Sequence, residues 1–146
     1  MTPAELAALH AQCFDAPRPW TAKEFDSILG MPHTFLLTQD GGFLVGRAVA
    51  GEAELLTLAV PPTARRQGTG RMLVEAFLHQ IALMGAQDAF LEVATDNAPA
   101  LALYAAFGFV EVAERTAYMR AADGTARDAY IMRRDAEIGA AFGDEA

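Results

Sequence analysis

The stretch Arg65-Arg66-Gln67-Gly68-Thr69-Gly70-Arg71 lies between a predicted strand and a long predicted helix. Its two glycines let the backbone turn with N–H groups pointing inward, and the following helix adds the positive end of its dipole. Such a loop is suited to bind a phosphate group, although glycine-rich loops before helices also serve as plain turns. A Walker A loop needs Gly-Lys-Ser/Thr, and a dinucleotide-binding loop needs a third glycine where Leu73 stands, so neither motif is present.

The segments around this loop predict an α/β fold. Before the loop, the pattern predicts two short helices and three antiparallel strands joined by glycine-containing turns. After it, apolar residues at helical spacing predict a long helix, then a strand, another helix and two final strands. The order ααβββαβαββ implies one mixed, mostly antiparallel sheet with helices on both faces, in a single domain of residues 1–146. The predicted bounds are 3–14, 21–29, 34–39, 42–49, 54–60, 68–84, 89–95, 97–107, 109–121 and 127–134.

Composition narrows the class of protein. The 146 residues carry a formal net charge of −8, which repels nucleic acid and mildly attracts cationic ligands. No apolar run approaches the ~18–20 residues of a membrane span, and the N-terminus lacks the pattern of a secretion signal. These features predict a soluble cytoplasmic protein that binds neither nucleic acid nor membrane. Residues 136–146 have no apolar pattern and are predicted to be a frayed tail.

The cysteine and the histidines favour neither a reactive thiol nor a metal site. Cys13 lies in an apolar helical repeat, which predicts a buried packing residue. No Ser/His/Asp arrangement is legible, and no metal is predicted. The three histidines are scattered, without a second ligand three or four residues away: His10, His33 and His79.

Several segments together resemble a known family. After residues 58–60 and the loop come Leu91-Glu92-Val93, then Asn97-Ala98-Pro99-Ala100-Leu101-Ala102-Leu103-Tyr104, then Phe107-Gly108-Phe109. In this order and spacing they resemble the GNAT superfamily of acetyl-CoA-dependent N-acetyltransferases, and within it most closely the ribosomal-protein-alanine N-acetyltransferases. The resemblance runs from about Pro19-Trp20 to Met132. Each motif alone is weak, and the evidence lies in their combination.

The resemblance implies acetyl-CoA as co-substrate. The pyrophosphate would bind the backbone amides of residues 66–71, with Arg65 beside them, and Asn97 would contact the cofactor arm. The arm would pair like an extra strand with Leu58, Ala59 and Val60, where a backbone N–H would meet the developing oxyanion. The strand bearing Leu58 would splay from the strand bearing Glu92 and open a cleft.

Two side chains are candidates for catalysis. An amine is protonated in water, so its attack on a thioester needs a base, and Glu92 is the single charge in an apolar strand. Desolvation by apolar neighbours would raise the pKa of this carboxyl, although a glutamate on the exposed face of a strand gives the same pattern. The resemblance implies that Glu92 is the base. It also implies that Tyr104 protonates the leaving CoA thiolate, whereas a tyrosine in such a segment more often packs in the core.

The sequence features that predict the acceptor are weaker than those that predict the donor. The family usually has an asparagine and paired tyrosines near residues 115–120, but this chain reads Arg115-Thr116-Ala117-Tyr118-Met119-Arg120. Trp20, in the loop of residues 17–20, and Tyr118 are predicted to bind the acceptor. At pH 7 about a tenth of an α-amine is neutral, against about one lysine in a few thousand. The N-terminal α-amine of a protein or peptide is therefore the predicted acceptor, with a small-molecule amine and a non-catalytic acetyl-CoA-binding domain as alternatives.

Relatives usually have a strand before the first helix, and that strand is missing from the predicted pattern. Its absence leaves one sheet edge less protected. A homodimer that covers this edge is therefore a hypothesis.

Overall fold

The computed structural model of the protein describes residues 1–135, so the predicted frayed tail, residues 136–146, lies outside the described residues. The predicted order of helices and strands is confirmed, with bounds shifted by one or two residues. The elements are α1 (Pro3–Cys13), α2 (Ala22–Leu29), β1 (Thr34–Gln39), β2 (Gly42–Val49), β3 (Glu52–Ala59), a 3-10 turn (Pro62–Ala64), α3 (Thr69–Leu83), β4 (Asp88–Ala94), α4 (Ala98–Ala106), β5 (Val110–Arg120) and β6 (Ala126–Arg134).

Six strands form one sheet in the order β1-β2-β3-β4-β6-β5. Neighbouring strands are antiparallel except β3 and β4, which are parallel because α3 carries the chain back across the sheet between them. The predicted mixed sheet is confirmed, and β1 and β5 are its edges.

Both N-terminal helices begin with a capping box. The Thr2 hydroxyl accepts from the Glu5 N–H, and the Glu5 carboxylate accepts from the Thr2 N–H. Thr21 and Glu24 repeat this exchange at α2, as their spacing in the sequence predicts. Each box satisfies two N–H groups that a helix end leaves unpaired, so it fixes where the helix begins. The box at Thr21 thereby fixes where the α1–α2 loop, residues 14–21, ends.

The helices cover both faces of the sheet. On one face, here called the α3 face, Leu73 and Phe77 of α3 and Tyr104 of α4 pack against the inward side chains of the strands. On the opposite α1 face, Leu6 of α1 and Phe25 of α2 pack against β2 and β3. Each buried apolar side chain of this size contributes roughly 1.5–3 kcal/mol to folding. The sheet is therefore the central layer between two hydrophobic cores.

Strand β3 contains a β-bulge at Leu56. Val45 of β2 pairs with Thr57, but the next residue, Gly46, pairs with Leu55, so Leu56 is an extra residue without a partner in the register. Leu55 consequently packs in the core of the α3 face, whereas Thr57 bonds to a side chain of α1 on the other face.

Strands β3 and β4 separate just before the bulge. Their pairing runs from Glu52 with Asp88 to Glu54 with Phe90, and it ends there. Within residues 1–135, the edge of β3 that faces β4 has no strand partner from residue 55 onward. The structure thus shows the splay that the family resemblance implies, and the splay positions the candidate site.

Candidate active site

A cleft of about 710 Å³ occupies the space between the diverging strands β3 and β4. Its other walls are the loop of residues 65–71, the start of α4 and part of the α1–α2 loop. Gln67 is not part of the lining, because its side-chain amide donates instead to the Thr63 carbonyl at 3.0 Å. The other residues predicted to bind the donor all line the cleft: Leu58, Ala59, Val60, Arg65, Arg66, Gly68, Thr69, Gly70, Arg71 and Asn97.

The loop before α3 presents a helix start without a side-chain cap. Arg66 and Gly68 adopt left-handed backbone angles, with φ of 65° and 81°, and Gly68 is the N-cap residue. Since glycine has no side chain, the first N–H groups of α3 receive no side-chain hydrogen bond. The buried Thr69 hydroxyl also has no hydrogen-bond partner among the described residues. This helix end therefore fits an anionic group such as the pyrophosphate of acetyl-CoA.

The open edge of β3 gives the second part of the fit to acetyl-CoA. The backbone of residues 55–59 pairs with β2 on one side and faces the cleft on the other. Its free N–H and C=O groups match an extended ligand that contains amide groups, because such a ligand can pair as a strand does. Asn97 lies across the cleft and caps α4, its Oδ1 accepting from the Ala100 N–H at 3.3 Å.

Tyr104 of α4 is both a core residue and part of the cleft wall. Its ring packs edge-on against Phe109, with 6.0 Å between the centroids, and the residue is 8% exposed. Burial raises the pKa of the Tyr104 phenol, which keeps the hydroxyl protonated and neutral. The phenol therefore stays protonated in a residue that forms part of the cleft wall.

Glu92 is exposed, which corrects the expectation that apolar neighbours bury its carboxylate. In β4 the neighbours Leu91 and Val93 point into the α3-face core, and the alternation of the strand turns Glu92 to the other side. There the Tyr118 hydroxyl donates to Glu92 Oε1 at 3.1 Å. This bond to the carboxylate, together with its charge, raises the pKa of Tyr118. The predicted base and a predicted acceptor-binding residue are therefore in direct contact.

A second pocket, of about 390 Å³, meets the cleft at Glu92. Tyr118 lines the second pocket only. Five of the described residues line both pockets: Pro17, Trp20, Leu55, the bulged residue Leu56 and Glu92. The structure thus places both predicted acceptor-binding side chains in a pocket that is continuous with the predicted base.

His10 is a residue of the site region that the sequence reading missed. It is 0% exposed, and its Nδ1 accepts from the Trp20 N–H at 2.9 Å. Its Nε2 lies 2.8 Å from Thr57 Oγ1, so the ring links the α1–α2 loop to β3 beside the bulge. The available signal was a histidine in the apolar repeat of an amphipathic helix, which indicates a buried ring that needs two polar partners.

Cys13 also lies at the cleft, and the expectation of a buried packing residue is only half right. The side chain is partly buried, and its thiol donates to the Val60 carbonyl at 3.4 Å. Arg65 donates to the same carbonyl at 3.2 Å, and its Nη2 lies 3.5 Å from the sulfur. The thiol therefore helps to fix the end of β3 at the wall of the cleft.

Two further properties of the described residues bear on the class of protein. Among residues 1–135, no group of three or more His, Cys, Asp or Glu side chains is arranged to hold a metal ion. None of the helices in that part of the chain has the length and apolar character needed to cross a membrane.

The fold and the cleft together define an acetyltransferase that uses acetyl-CoA. One helix start is open to a phosphate group, one strand edge is open to an amide-containing arm, and a carboxylate and a buried phenol lie further along the same cleft. The chain belongs to the acetyltransferase (GNAT) family, whose model matches residues 4–109.

Relatives with known names agree with this class. The ribosomal protein bS18-alanine N-acetyltransferase of Escherichia coli K12 is 38% identical over 130 residues, which cover 86% of this chain and 87% of the relative. The N-alpha-acetyltransferase RimI of Mycobacterium tuberculosis is 38% identical over 138 residues, covering 88% and 84%. The crystal structure of the ribosomal-protein-S18-alanine N-acetyltransferase from Escherichia coli matches with a TM-score of 0.79 at 33% identity, covering 91% and 86%. The protein is therefore an acetyl-CoA-dependent N-acetyltransferase.

Proposed function

We propose that this enzyme acetylates the N-terminal α-amine of a protein or peptide, with Glu92 as the base and Tyr104 as the acid. The observation that carries the proposal is the meeting of two pockets at Glu92, the larger suited to the donor and the smaller to the acceptor. The relatives that act on the alanine of ribosomal protein bS18 support an α-amine as the acceptor. The cytoplasmic location and the homodimer remain predictions from the sequence.

The donor would bind along the larger cleft. The N–H groups at the start of α3, within residues 66–71, would hold the pyrophosphate, and the open edge at Leu58, Ala59 and Val60 would pair with the arm. Asn97 would line the opposite side. When bound, acetyl-CoA supplies an acetyl group activated as a thioester. Side chains and backbone amides of this chain would carry out the proton transfers and stabilise the developing charge.

Glu92 would take the proton that the amine must lose. One carboxylate oxygen accepts from Tyr118, which leaves the other oxygen for an N–H of the acceptor. Because Glu92 is exposed, the proton can pass directly or through one water molecule. As the amine nitrogen bonds to the acetyl carbon, its proton goes to Glu92.

Tyr104 would complete the proton balance. When the carbon–sulfur bond breaks, the sulfur leaves as a thiolate and needs one proton. Tyr104 lines the same cleft, and burial keeps its phenol protonated, so an Oη proton would be available to the thiolate. The phenolate left behind would regain a proton from solvent. A backbone N–H of residues 58–60 would stabilise the negative charge on the carbonyl oxygen.

Acetyl transfer to a mixed panel of acceptors tests the acceptor class. CoA-thiol release and product mass would be measured with Ala-, Ser- and Met-starting peptides beside polyamines, free amino acids and aminoglycosides. We expect the acetyl mass on the peptide N-terminus. Acetylation of small amines alone would show that the acceptor proposal is wrong. If none of these acceptors gave any release of CoA thiol, the result would favour the non-catalytic alternative.

Glu92→Gln tests the base. We expect kcat to fall by about 10²–10⁴ while the KM for acetyl-CoA stays within twofold, since the change removes proton transfer and leaves the donor cleft intact. Glu111→Gln is the matched control, because Glu111 is an exposed carboxylate of β5 that lines neither pocket. A Glu92→Gln enzyme with the parent kcat would exclude Glu92 as the base.

A further inference from the structure

In the part of the chain that the structure describes, three carboxylates line the smaller pocket: Glu24, Glu54 and Glu92. Glu24 is paired with Arg18 at 2.8 Å, whereas Glu54 of β3 has no part in the chemistry above. Glu54 and Phe90 form the last pair of the parallel β3–β4 ladder. Paired residues of parallel strands point to the same face, and Glu92 follows Phe90 by two residues. Glu54 and Glu92 therefore lie on the same face, diagonally across the point where the two strands separate.

The charge of Glu54 is only weakly compensated. Among residues 1–135, the one cation within 4.0 Å of its carboxylate is Arg47 of β2, whose Nη2 lies 3.9 Å from Glu54 Oε2, and both side chains are partly exposed at 38% and 41%. An ion pair of this length and exposure contributes little. Burial raises the pKa of Glu54, and the charge of Glu92 on β4 raises it further, while Arg47 opposes both. Tyr118 of β5 faces the same carboxylates, and its hydroxyl is already bonded to Glu92.

A carboxylate in this setting gains most from a cation that enters the pocket. The acceptor amine arrives mostly as an ammonium group, because the reference pKa of an α-amine is about 7.7–8.0. An ammonium group has three N–H donors, so it can bond to Glu54 and to Glu92 at the same time. The ammonium group first loses one proton to solvent, and the neutral amine keeps two N–H groups. One of them can stay bonded to Glu54 and orient the nitrogen, while the other proton goes to Glu92 as the nitrogen bonds to the acetyl carbon.

We propose that Glu54 binds the cationic amine of the acceptor and places it beside Glu92. This rests on the proposed function, since it assigns the smaller pocket to the acceptor. It goes further by assigning amine recognition to a pair of carboxylates on adjacent strands. An acceptor without a free amine gains nothing from Glu54.

Glu54→Gln tests the assignment because it removes the charge and nearly keeps the shape. Steady-state kinetics would be measured with the best acceptor of the panel above. We expect the KM for the acceptor to rise about tenfold, as the loss of a charged hydrogen bond does. The KM for acetyl-CoA should stay within twofold, and Glu54→Asp should recover part of the loss.

Glu52→Gln is the matched control variant. Glu52 lies two residues earlier on the same strand, is exposed and lines neither pocket. It makes the same change in net charge, so we expect both KM values of this variant to equal those of the parent enzyme. An equal rise in the acceptor KM for Glu52→Gln would show that the effect is a long-range one of net charge, and the assignment would be wrong.

A binding measurement without turnover gives a second readout. Calorimetry in the presence of CoA would compare a peptide with a free N-terminus and the same peptide already acetylated. We expect Glu54→Gln to weaken binding of the free peptide about tenfold and to leave the acetylated peptide unaffected. Equal binding of the free peptide by parent and variant would overturn the inference. Failure of the proposed function is a separate outcome, because a parent enzyme that acetylates only small amines still allows Glu54 to be tested with those amines.

Discussion

A neutral His10 ring joins two segments that border the active site. Because its Nδ1 accepts from the Trp20 N–H, its Nε2 carries the proton and donates to the Thr57 hydroxyl. A second ring proton would face the Trp20 N–H and replace that hydrogen bond with a repulsion. Burial also disfavours the cation and lowers the pKa of His10 from 6.5 to about 4.

The lowered pKa of His10 predicts a loss of stability in acid. Above pH 6.5 the ring is neutral in both states and its contribution is fully present. Below pH 6.5 the His10 ring is protonated in the unfolded chain, whereas in the folded chain it stays neutral down to about pH 4. The free energy of unfolding therefore falls by up to about 3 kcal/mol as the pH is lowered. Urea unfolding between pH 7.5 and 4.5 should show this fall for the parent protein and a smaller fall for His10→Gln, which cannot titrate. His79→Gln, at an exposed histidine of α3, should behave like the parent, and parallel curves for parent and His10→Gln would contradict the prediction.

Glu92 illustrates how much of the site a sequence can predict residue by residue. Its position as the single charge of an apolar strand made Glu92 a candidate, but only the family resemblance favoured Glu92 and Tyr104 over an exposed glutamate and a core tyrosine. The bond of Glu92 to Tyr118 depends on the strand order, because Tyr118 lies on β5, beyond β6 in the sheet, and the contact spans 26 positions in the chain. For the same reason Glu54 could not be selected, because only the register of β3 with β4 places it near Glu92.

The bulged strand β3 forms one wall of the donor cleft, and Gly46 of β2 lies beside the bulge. Gly46 pairs with Leu55 next to the extra residue Leu56. A Cβ added to Gly46 would lie 2.5 Å from the tip of the Phe35 ring and 2.9 Å from the Phe77 ring. The absence of a side chain at this position therefore lets two aromatic rings pack directly over the strand.

Gly46→Ala should therefore destabilise the protein. The two rings must move to admit the methyl group, and overpacking of this kind costs about 1–3 kcal/mol in the free energy of unfolding. Phe35→Leu makes room at the same place, so the loss caused by Gly46→Ala should be smaller in the Phe35→Leu background. Urea unfolding of the parent, both single variants and the double variant gives this coupling. A Gly46→Ala protein as stable as the parent would contradict the prediction, because it would show that the Phe35 and Phe77 rings move aside without cost.

The helices and strands were predictable because their signals are local. The capping box at Thr21 and Glu24, the glycine turn at Asp40-Gly41 and the alternation along each strand act within a few residues. The bulge at Leu56 and the end of the β3–β4 pairing have no such local signal, because they are set by partners on β2 and β4. Only the family resemblance implied the splay.

On the scale of the whole molecule, the active site is assembled from both ends of the chain. The α1–α2 loop near the N-terminus is hydrogen-bonded to the β5–β6 hairpin near the C-terminus. The Arg18 N–H donates to the Arg120 carbonyl at 2.7 Å, and the Ala122 N–H donates to the Asp15 carbonyl at 2.7 Å. Between them in the chain lie the first four strands of the six-stranded sheet. We predict that the chain is a single domain, which would unfold in one step.

Acetyl-CoA provides the test of this prediction. At about 100 times its dissociation constant, a ligand that binds only the folded state adds about 2.7 kcal/mol, which raises the Tm of a domain of this size by roughly 5–11 °C. The fluorescence of Trp20, the one tryptophan of the chain, reports on the cleft wall, and far-ultraviolet circular dichroism reports on all elements. We expect both signals to change in one transition and to shift together with acetyl-CoA, whereas acetate alone should leave Tm unchanged. If only the Trp20 transition moved, the cleft wall would unfold independently of the remaining sheet, and the single-domain prediction would be wrong.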